Sequence, residues 1–163
     1  VNVGDTDMRP VLTSIATNSP DILYYPIFAA EGGFITRQAK EIDALADTVL
    51  AGSDGLQTTA FLEAAGDAAE GMYISGPNTD FDNELAKHFV EMYAQEYGTD
   101  KFDAPFHAHA YDAANLILKA VAKVAVQDQD GNLYIGRQAL RDALYATKDM
   151  KGITGSLTCD ENG

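Results

Sequence analysis

Short apolar runs rich in β-branched and aromatic residues alternate with longer segments of helical periodicity, and few architectures accommodate that order. Ile22-Leu23-Tyr24-Tyr25-Pro26-Ile27-Phe28, Thr48 to Ala51 and Met72 to Ser75 read as strands. Pro26 falls near the end of the first of these runs, where a missing N–H costs least. Between the runs, Phe34, Ile35, Ala39 and Ile42 recur at helical spacing, and a short helix is expected from about Thr58 to Ala65. The unit repeats at about 25 residues, the length of a βα step in a parallel sheet with crossover helices. The predicted fold class is therefore α/β, a parallel sheet flanked by helices. Ahead of these units, Val1 to Gly4 is a further apolar run. Asp7 reads as an N-cap, and Val11, Leu12, Ile15 and Ala16 form one helical face that stops at Asn18-Ser19-Pro20.

The pattern changes at Gly76-Pro77-Asn78-Thr79-Asp80, where a boundary is placed. Beyond it the chain reads as mostly helical. Leu85, Phe89, Tyr93 and Tyr97 fall at every fourth residue, which predicts a core-facing helical stripe, and Tyr111, Ala114, Leu118 and Ala122 mark a second helix. A third, about Arg137 to Thr147, follows a turn at Asp128-Gln129-Asp130-Gly131-Asn132, and Gly152 to Asp160 reads as a β segment. The closing Glu161-Asn162-Gly163 looks like a turn into another strand, so the sheet is expected to be incomplete.

Charge narrows the function. The 163 residues carry a formal net charge of −14, which repels phosphate backbones and anionic lipid surfaces. With 46% hydrophobic residues, a chain of this size buries enough apolar surface for a core without disulfide staples. No apolar run approaches the ~18 residues of a membrane span. The single Cys159 can form no internal bridge and reads as a small buried residue, unless a partner Cys lies elsewhere.

In an open parallel sheet, ligands bind beyond the carboxyl ends of the strands, where loops and helix N-termini converge. Phe28 closes one predicted strand and Asp54 follows the next, which puts both at the same edge. A carboxylate beside an aromatic wall suits a small ligand carrying an ammonium group. Taken singly, Asp54 in Gly52-Ser53-Asp54-Gly55 also fits a turn residue or N-cap, and Phe28 fits core packing. No catalytic set assembles: Ser53 lacks a neighbouring base and the G-x-S-x-G elbow, and no Gly-rich phosphate loop with a Lys occurs. His107 and His109 lack further metal ligands and read as surface or capping residues, with His88 facing solvent. Asp128-x-Asp130-Gly131 fails the register of a calcium loop, since Val126 and Arg137 would occupy the end positions. No cofactor and no metal is expected.

Several segments together resemble the substrate-binding proteins of branched-chain amino acid ABC transporters. They are Asp5-Thr6-Asp7 with Leu12-Thr13-x-Ile15, Pro20-Asp21-Ile22-Leu23-Tyr24-Tyr25, Gln38-Ala39, Gly52-Ser53-Asp54-Gly55, Glu70-Gly71-Met72-Tyr73, Tyr111-Asp112-Ala113, Gly152-Ile153-Thr154-Gly155 and Asp160-x-Asn162-Gly163. Each is short, but their order spans nearly the whole chain. The resemblance implies a two-lobed type 1 periplasmic-binding fold, Rossmann-like in its lobes, of which this would be a carboxyl-side fragment. Residues 1–76 would be βα units of the second lobe. Residues 77–151 would be a mainly helical segment packed on the first lobe, opened by a crossing at Gly76 to about Asp80. Residues 152–163 would return toward the second lobe.

In such proteins Asp54 falls where an acidic residue binds the ligand's α-ammonium group. Phe28 falls where an aromatic residue, commonly Tyr, lines the pocket, and Ser53 and Ala29 flank these two. The Ser/Thr loop that holds the ligand carboxylate belongs to the first lobe and has no counterpart here. The implied function is non-enzymatic: an extracytoplasmic protein, periplasmic or held at the extracellular face of the bacterial membrane through a lipid anchor outside this chain, binds an amino acid and delivers it to membrane permease subunits. A ligand-sensing domain of a receptor or regulator would use the same fold. An α/β hydrolase and a plain interaction domain are the readings from other classes.

Overall fold

A computed structural model describes residues 1–160 and 162. The chain forms two compact units, the first comprising Val1–Asn78 with Phe102–Pro105 and the second the remainder.

The first unit runs α1 (Arg9–Ala16), β1 (Ile22–Tyr25), α2 (Ala29–Lys40), β2 (Val49–Gly52), α3 (Thr59–Ala65) and β3 (Tyr73–Ile74), with short 3₁₀ turns at Asp43–Leu45, Asp54–Leu56 and Gly66–Ala69. The strands form a parallel sheet in the order β1-β2-β3, with Tyr25 opposite Gly52 and Gly52 opposite Ile74. This is the α/β arrangement expected from the alternation of runs. The core gathers Met8 and Leu12 of the first helical turns, Tyr25 and Leu50 of the strands, Ile35 and Ala39 of α2, and Leu56 and Phe61 around α3. At the surface of α2 that meets α3, Gly33 leaves no room for a side chain: a Cβ there would stand 2.6 Å from the Ala64 Cβ. A helix-interior glycine costs about 1 kcal/mol against alanine, and this close helix approach is what the missing side chain permits.

Tyr25, Thr36 and Gln38 pair their buried polar groups inside the unit. Tyr25 donates its hydroxyl to Thr36 Oγ1 at 2.7 Å, and Thr36 in turn donates to the Gly32 carbonyl at 2.8 Å. Burial pushes the Tyr25 phenol above its ordinary range, with the Thr36 bond opposing the shift. Gln38, also buried, receives the Met8 amide on Oε1 at 2.6 Å and donates Nε2 to the Thr6 carbonyl at 2.8 Å. It thereby fixes the entry to α1.

The amino terminus departs from expectation. Val1 to Gly4 forms no strand; Gly4 has φ +89°, and the Asp5 amide bonds back to the Asn2 carbonyl at 3.1 Å, so the segment turns. Met8 rather than Asp7 occupies the N-cap of α1, with the Asp7 carboxylate taking the Arg9 amide at 3.3 Å. The strand read as Ile22 to Phe28 stops at Tyr25, because Pro26 has no N–H to continue the ladder.

The second unit contains α4 (Glu84–Tyr97), α5 (His107–Val124), the hairpin β4 (Val126–Gln127)/β5 (Leu133–Tyr134), α6 (Arg137–Tyr145) and the hairpin β6 (Met150–Lys151)/β7 (Ser156–Leu157). Asn83 caps α4 by accepting the Ala86 amide at 3.0 Å, and Gly98 ends it in the left-handed region at φ +71°. The small buried core is Ala86, Ala108 and Ile153, with Phe81, Phe89 and Tyr111 against it. The aromatic stripe of α4 is thus only partly inward: Phe89 and Tyr93 are half-buried, and Tyr97 is exposed. The β segment expected from Gly152 onward is a hairpin whose turn is residues 152–155, closed by the Gly152 amide on the Gly155 carbonyl at 2.8 Å. The turn expected at the carboxyl end includes Glu161 and Gly163, which lie outside the described residues.

Candidate ligand-binding site

Because β1 and β2 are parallel with Tyr25 opposite Gly52, the chain leaves both at one edge of the sheet. Residues 26–28 lead from the first into α2. Phe28 is its N-cap, in extended backbone (φ −91°, ψ 171°), and its carbonyl accepts the Gly32 amide at 2.9 Å. The Phe28 ring is left outside the core, with 77% of the residue exposed. An aromatic ring at a helix start has no helical turn behind it to pack on, so it stands over the sheet edge. Ala29, the first residue of α2, is half-buried beside it.

From β2 the chain enters a 3₁₀ turn. Ser53, extended, is its N-cap and accepts the Leu56 amide at 3.0 Å; Asp54 opens the turn, and its carbonyl accepts the Gln57 amide at 3.0 Å. Leu56 anchors the turn. It is fully buried, and its methyl groups fill space left by two glycines: a Cβ on Gly32 would lie 2.5 Å from its Cδ2, and one on Gly52 would collide with its Cδ1. With Leu56 pinned below, Ser53 and Asp54 are held half-buried at the sheet edge. Among the described residues the Asp54 carboxylate has no side-chain hydrogen bond and no ion-pair partner, so its acceptor oxygens are available to a ligand.

Gly55 brings this turn against the β1 exit. A Cβ there would stand 2.8 Å from the Ile27 carbonyl oxygen and 3.2 Å from Phe28 Cδ1. An open, largely apolar groove of about 500 Å³ begins at this contact, lined by Phe28, Ala29 and Gly55, by Thr58, Thr59, Ala60 and Glu63 around α3, and by Asp103 and Ala104. Phe28 and Ala29 line the groove itself, while Ser53 and Asp54 lie in the turn beside it. A smaller cavity of about 200 Å³, with Lys40, Thr48, Glu70 and Met72 in its wall, sits at the opposite, amino edge of the strands. Ligands of parallel sheets bind at the carboxyl edge, which favours the groove beside Phe28.

The remaining sequence candidates have structural surroundings. His107 begins α5 and stacks on Phe89 with centroids 6.1 Å apart; His109 sits edge-on to Phe81 and Phe106. His88 is exposed on α4. No group of three or more metal-ligating side chains occurs among the described residues. Asp128 binds its own hairpin turn through the Asp130 and Asn132 amides at 3.0 and 2.8 Å. The Asn132 side chain and amide are the main causes holding its carboxyl below the ordinary range. No helix among the described residues is long and apolar enough to cross a membrane.

Asp112 was not singled out from sequence as a functional residue. It is buried in α5 and accepts the Ile153 amide at 2.8 Å and the Thr154 amide and hydroxyl at 2.8 and 2.7 Å. Gly152 leaves the space that the carboxylate fills. Its sequence signal is an Asp one helical turn after buried Ala108, on the inward face of the helix.

The whole chain, residues 1–163, matches the family model described as periplasmic binding protein. The Leu/Ile/Val-binding protein homolog 3 of Brucella melitensis is 24% identical over all of this chain and 41% of its own length. The leucine-, isoleucine-, valine-, threonine- and alanine-binding protein of Pseudomonas aeruginosa is 26% identical over all of this chain and 40% of its own length. The chain thus spans about two fifths of the curated relatives it matches. Among solved structures, a leucine-binding protein of Thermotoga maritima superposes with a TM-score of 0.78 at 28% identity, covering 100% of this chain and 44% of that one. The branched-chain amino acid transporter substrate-binding protein of Streptococcus pneumoniae, in complex with isoleucine, gives 0.73 at 26% identity over 99% and 43%. With its parallel sheet, its helices and a family match along its entire length, the chain belongs to the periplasmic binding protein family.

Proposed function

We propose that this chain supplies one side of the binding site of an extracytoplasmic solute-binding protein, which captures a small amino acid and presents it to the permease of an ABC transporter. The observation that carries the reading is the Asp54 carboxylate, free of protein partners, in a turn that Gly55 packs against Phe28 at the carboxyl edge of the sheet. In this reading Asp54 accepts hydrogen bonds from the ligand's α-ammonium group, and Phe28 and Ala29 give apolar contact. Ser53, with a free hydroxyl beside Asp54, adds a polar contact. The named ligands of the relatives, leucine, isoleucine and valine among them, share the ammonium group and aliphatic side chain that such a surface would select.

The ligand carboxylate would be held by chain outside these residues. Residues 1–76 would form the ligand-binding part of the second lobe, 77–151 a helical segment packed on the first lobe, and 152–163 the return toward the second. No catalytic step is required: closure on the ligand shifts a two-state equilibrium by its differential affinity, and the permease reads the closed form. A thermal-shift comparison on the full-length protein tests the reading. L-leucine should raise the melting temperature saturably, and 4-methylpentanoate, the same skeleton without its ammonium group, should not. Equal stabilisation by both, or by neither, would count against it.

A further inference from the structure

The turn that carries Asp54 is also fastened on its far side. Gln57 ends that turn, and its side-chain amide lies flat against Gly76, so closely that a Cβ on Gly76 would collide with the Gln57 carboxamide. Two residues upstream of Asp54, the Gly52 carbonyl accepts the Ser75 amide at 3.0 Å and the Ser75 hydroxyl at 3.3 Å. The segment 75–76 therefore meets Gly52, the strand residue just ahead of the Asp54 turn, and Gln57 at the turn's end, just before the first unit closes at Asn78. Gln57 Oε1 is buried, yet among the described residues it accepts no hydrogen bond. A buried acceptor left unpaired is costly, so a donor brought within its reach would favour a rearranged carboxamide.

We propose that Gln57 is a positioning residue that couples the Asp54 turn to the segment at Gly76, so that ligand engagement at Asp54 and the conformation of residues 75–78 bias one another. The coupling rests on the reading of Asp54 as the ammonium-binding residue. A ligand that pulls on the Asp54 turn shifts the carboxamide against Gly76, and by reciprocity a change at Gly76 alters ligand affinity. Gly76 is the probe, because an alanine there displaces only the far end of a flexible side chain.

The test uses the full-length protein, L-leucine as the probe ligand, and the variants Gln57→Met, Gln57→Ala, Gly76→Ala and the Gln57→Ala/Gly76→Ala pair. Leucine should protect the amides of Ser75, Gly76 and Asn78 from hydrogen exchange in the wild type, and Gln57→Met should abolish that protection. Gly76→Ala should weaken leucine about fivefold or more in the wild type and less than twofold in Gln57→Ala, where no carboxamide remains to be displaced. A purely structural role for Gln57 would lower the melting temperature of the ligand-free protein and leave the Gly76→Ala effect the same in both backgrounds; that result overturns the coupling. So does wild-type leucine affinity in both Gln57 variants. If the wild-type protein binds no leucine, or binds it no better than Asp54→Ala does, it is the functional reading that fails, and the two failures are told apart.

Discussion

Gly55 lies directly beneath Phe28: a Cβ on the glycine would stand 3.2 Å from Cδ1 of the ring and 2.8 Å from the Ile27 carbonyl oxygen. A ring can swing, but the carbonyl belongs to the backbone that leads from β1 into α2. Gly55→Ala should therefore push the Asp54 turn and the Phe28 segment apart. The expected cost is about 1–3 kcal/mol of stability, as for overpacking at a rigid site. A loss of leucine affinity in variants that remain folded should accompany it. Denaturant unfolding and calorimetry of the same preparations measure both.

Leu56 supplies the anchor beneath that turn. Leu56→Ala removes a fully buried side chain from the space between Gly32 and Gly52 and should destabilise the protein by about 2–5 kcal/mol. The double variant Leu56→Ala with Gly52→Ala should recover part of this, since the added methyl occupies the vacated volume. Urea midpoints of the three proteins test the pair.

Asp112 is the corresponding anchor of the second unit. Asp112→Ala leaves the Ile153 and Thr154 amides without their acceptor in a buried place, a loss of about 2–4 kcal/mol across the set. Asp112→Asn keeps one acceptor oxygen and should fall between that variant and the wild type. Hydrogen exchange at the amides of Ile153 and Thr154 should accelerate in the same order.

Tyr25 makes a pH signature. Its phenol is raised above the ordinary value of about 10, chiefly by burial, so the native state keeps the proton longer than the unfolded chain does. The stabilisation this represents is present in full below about pH 10 and is lost as the pH climbs toward the native-state value. Tyr25→Phe should flatten this part of the stability profile relative to the wild type, measured as the difference between their unfolding midpoints from pH 9 to 11.

The βα rhythm was legible because each strand is a compact apolar run and each helix carries its own period. Tyr25 and Leu50 lie in the runs read as strands, Ile35 and Ala39 recur at the helical spacing of α2, and all four are in the core. Their burial follows from local spacing. Val1 to Gly4 was misread because an apolar composition says nothing of the backbone reversal that Gly4 makes at positive φ. Asp54 and Phe28 could be placed at one edge because parallel strands end at the same side. The glycine contact that brings their loops together depends on a shape match between segments 27 residues apart, with no sequence signal of its own. Asp112 and Gln38 were missed as anchors for the same reason: a polar residue on an inward helical face declares a partner without naming it, and Ile153 lies 41 residues from Asp112.

Calorimetric titration of the full-length protein with L-leucine, wild type against Asp54→Ala, reaches the central claim most directly. Removing a carboxylate that pairs with a buried ammonium group costs about 2–5 kcal/mol, so affinity should fall by about 30-fold or more while the unliganded variant melts near the wild-type temperature. Leucine binding of equal strength in the two proteins would contradict the account, and Asp54 would then be a residue of the turn and nothing more.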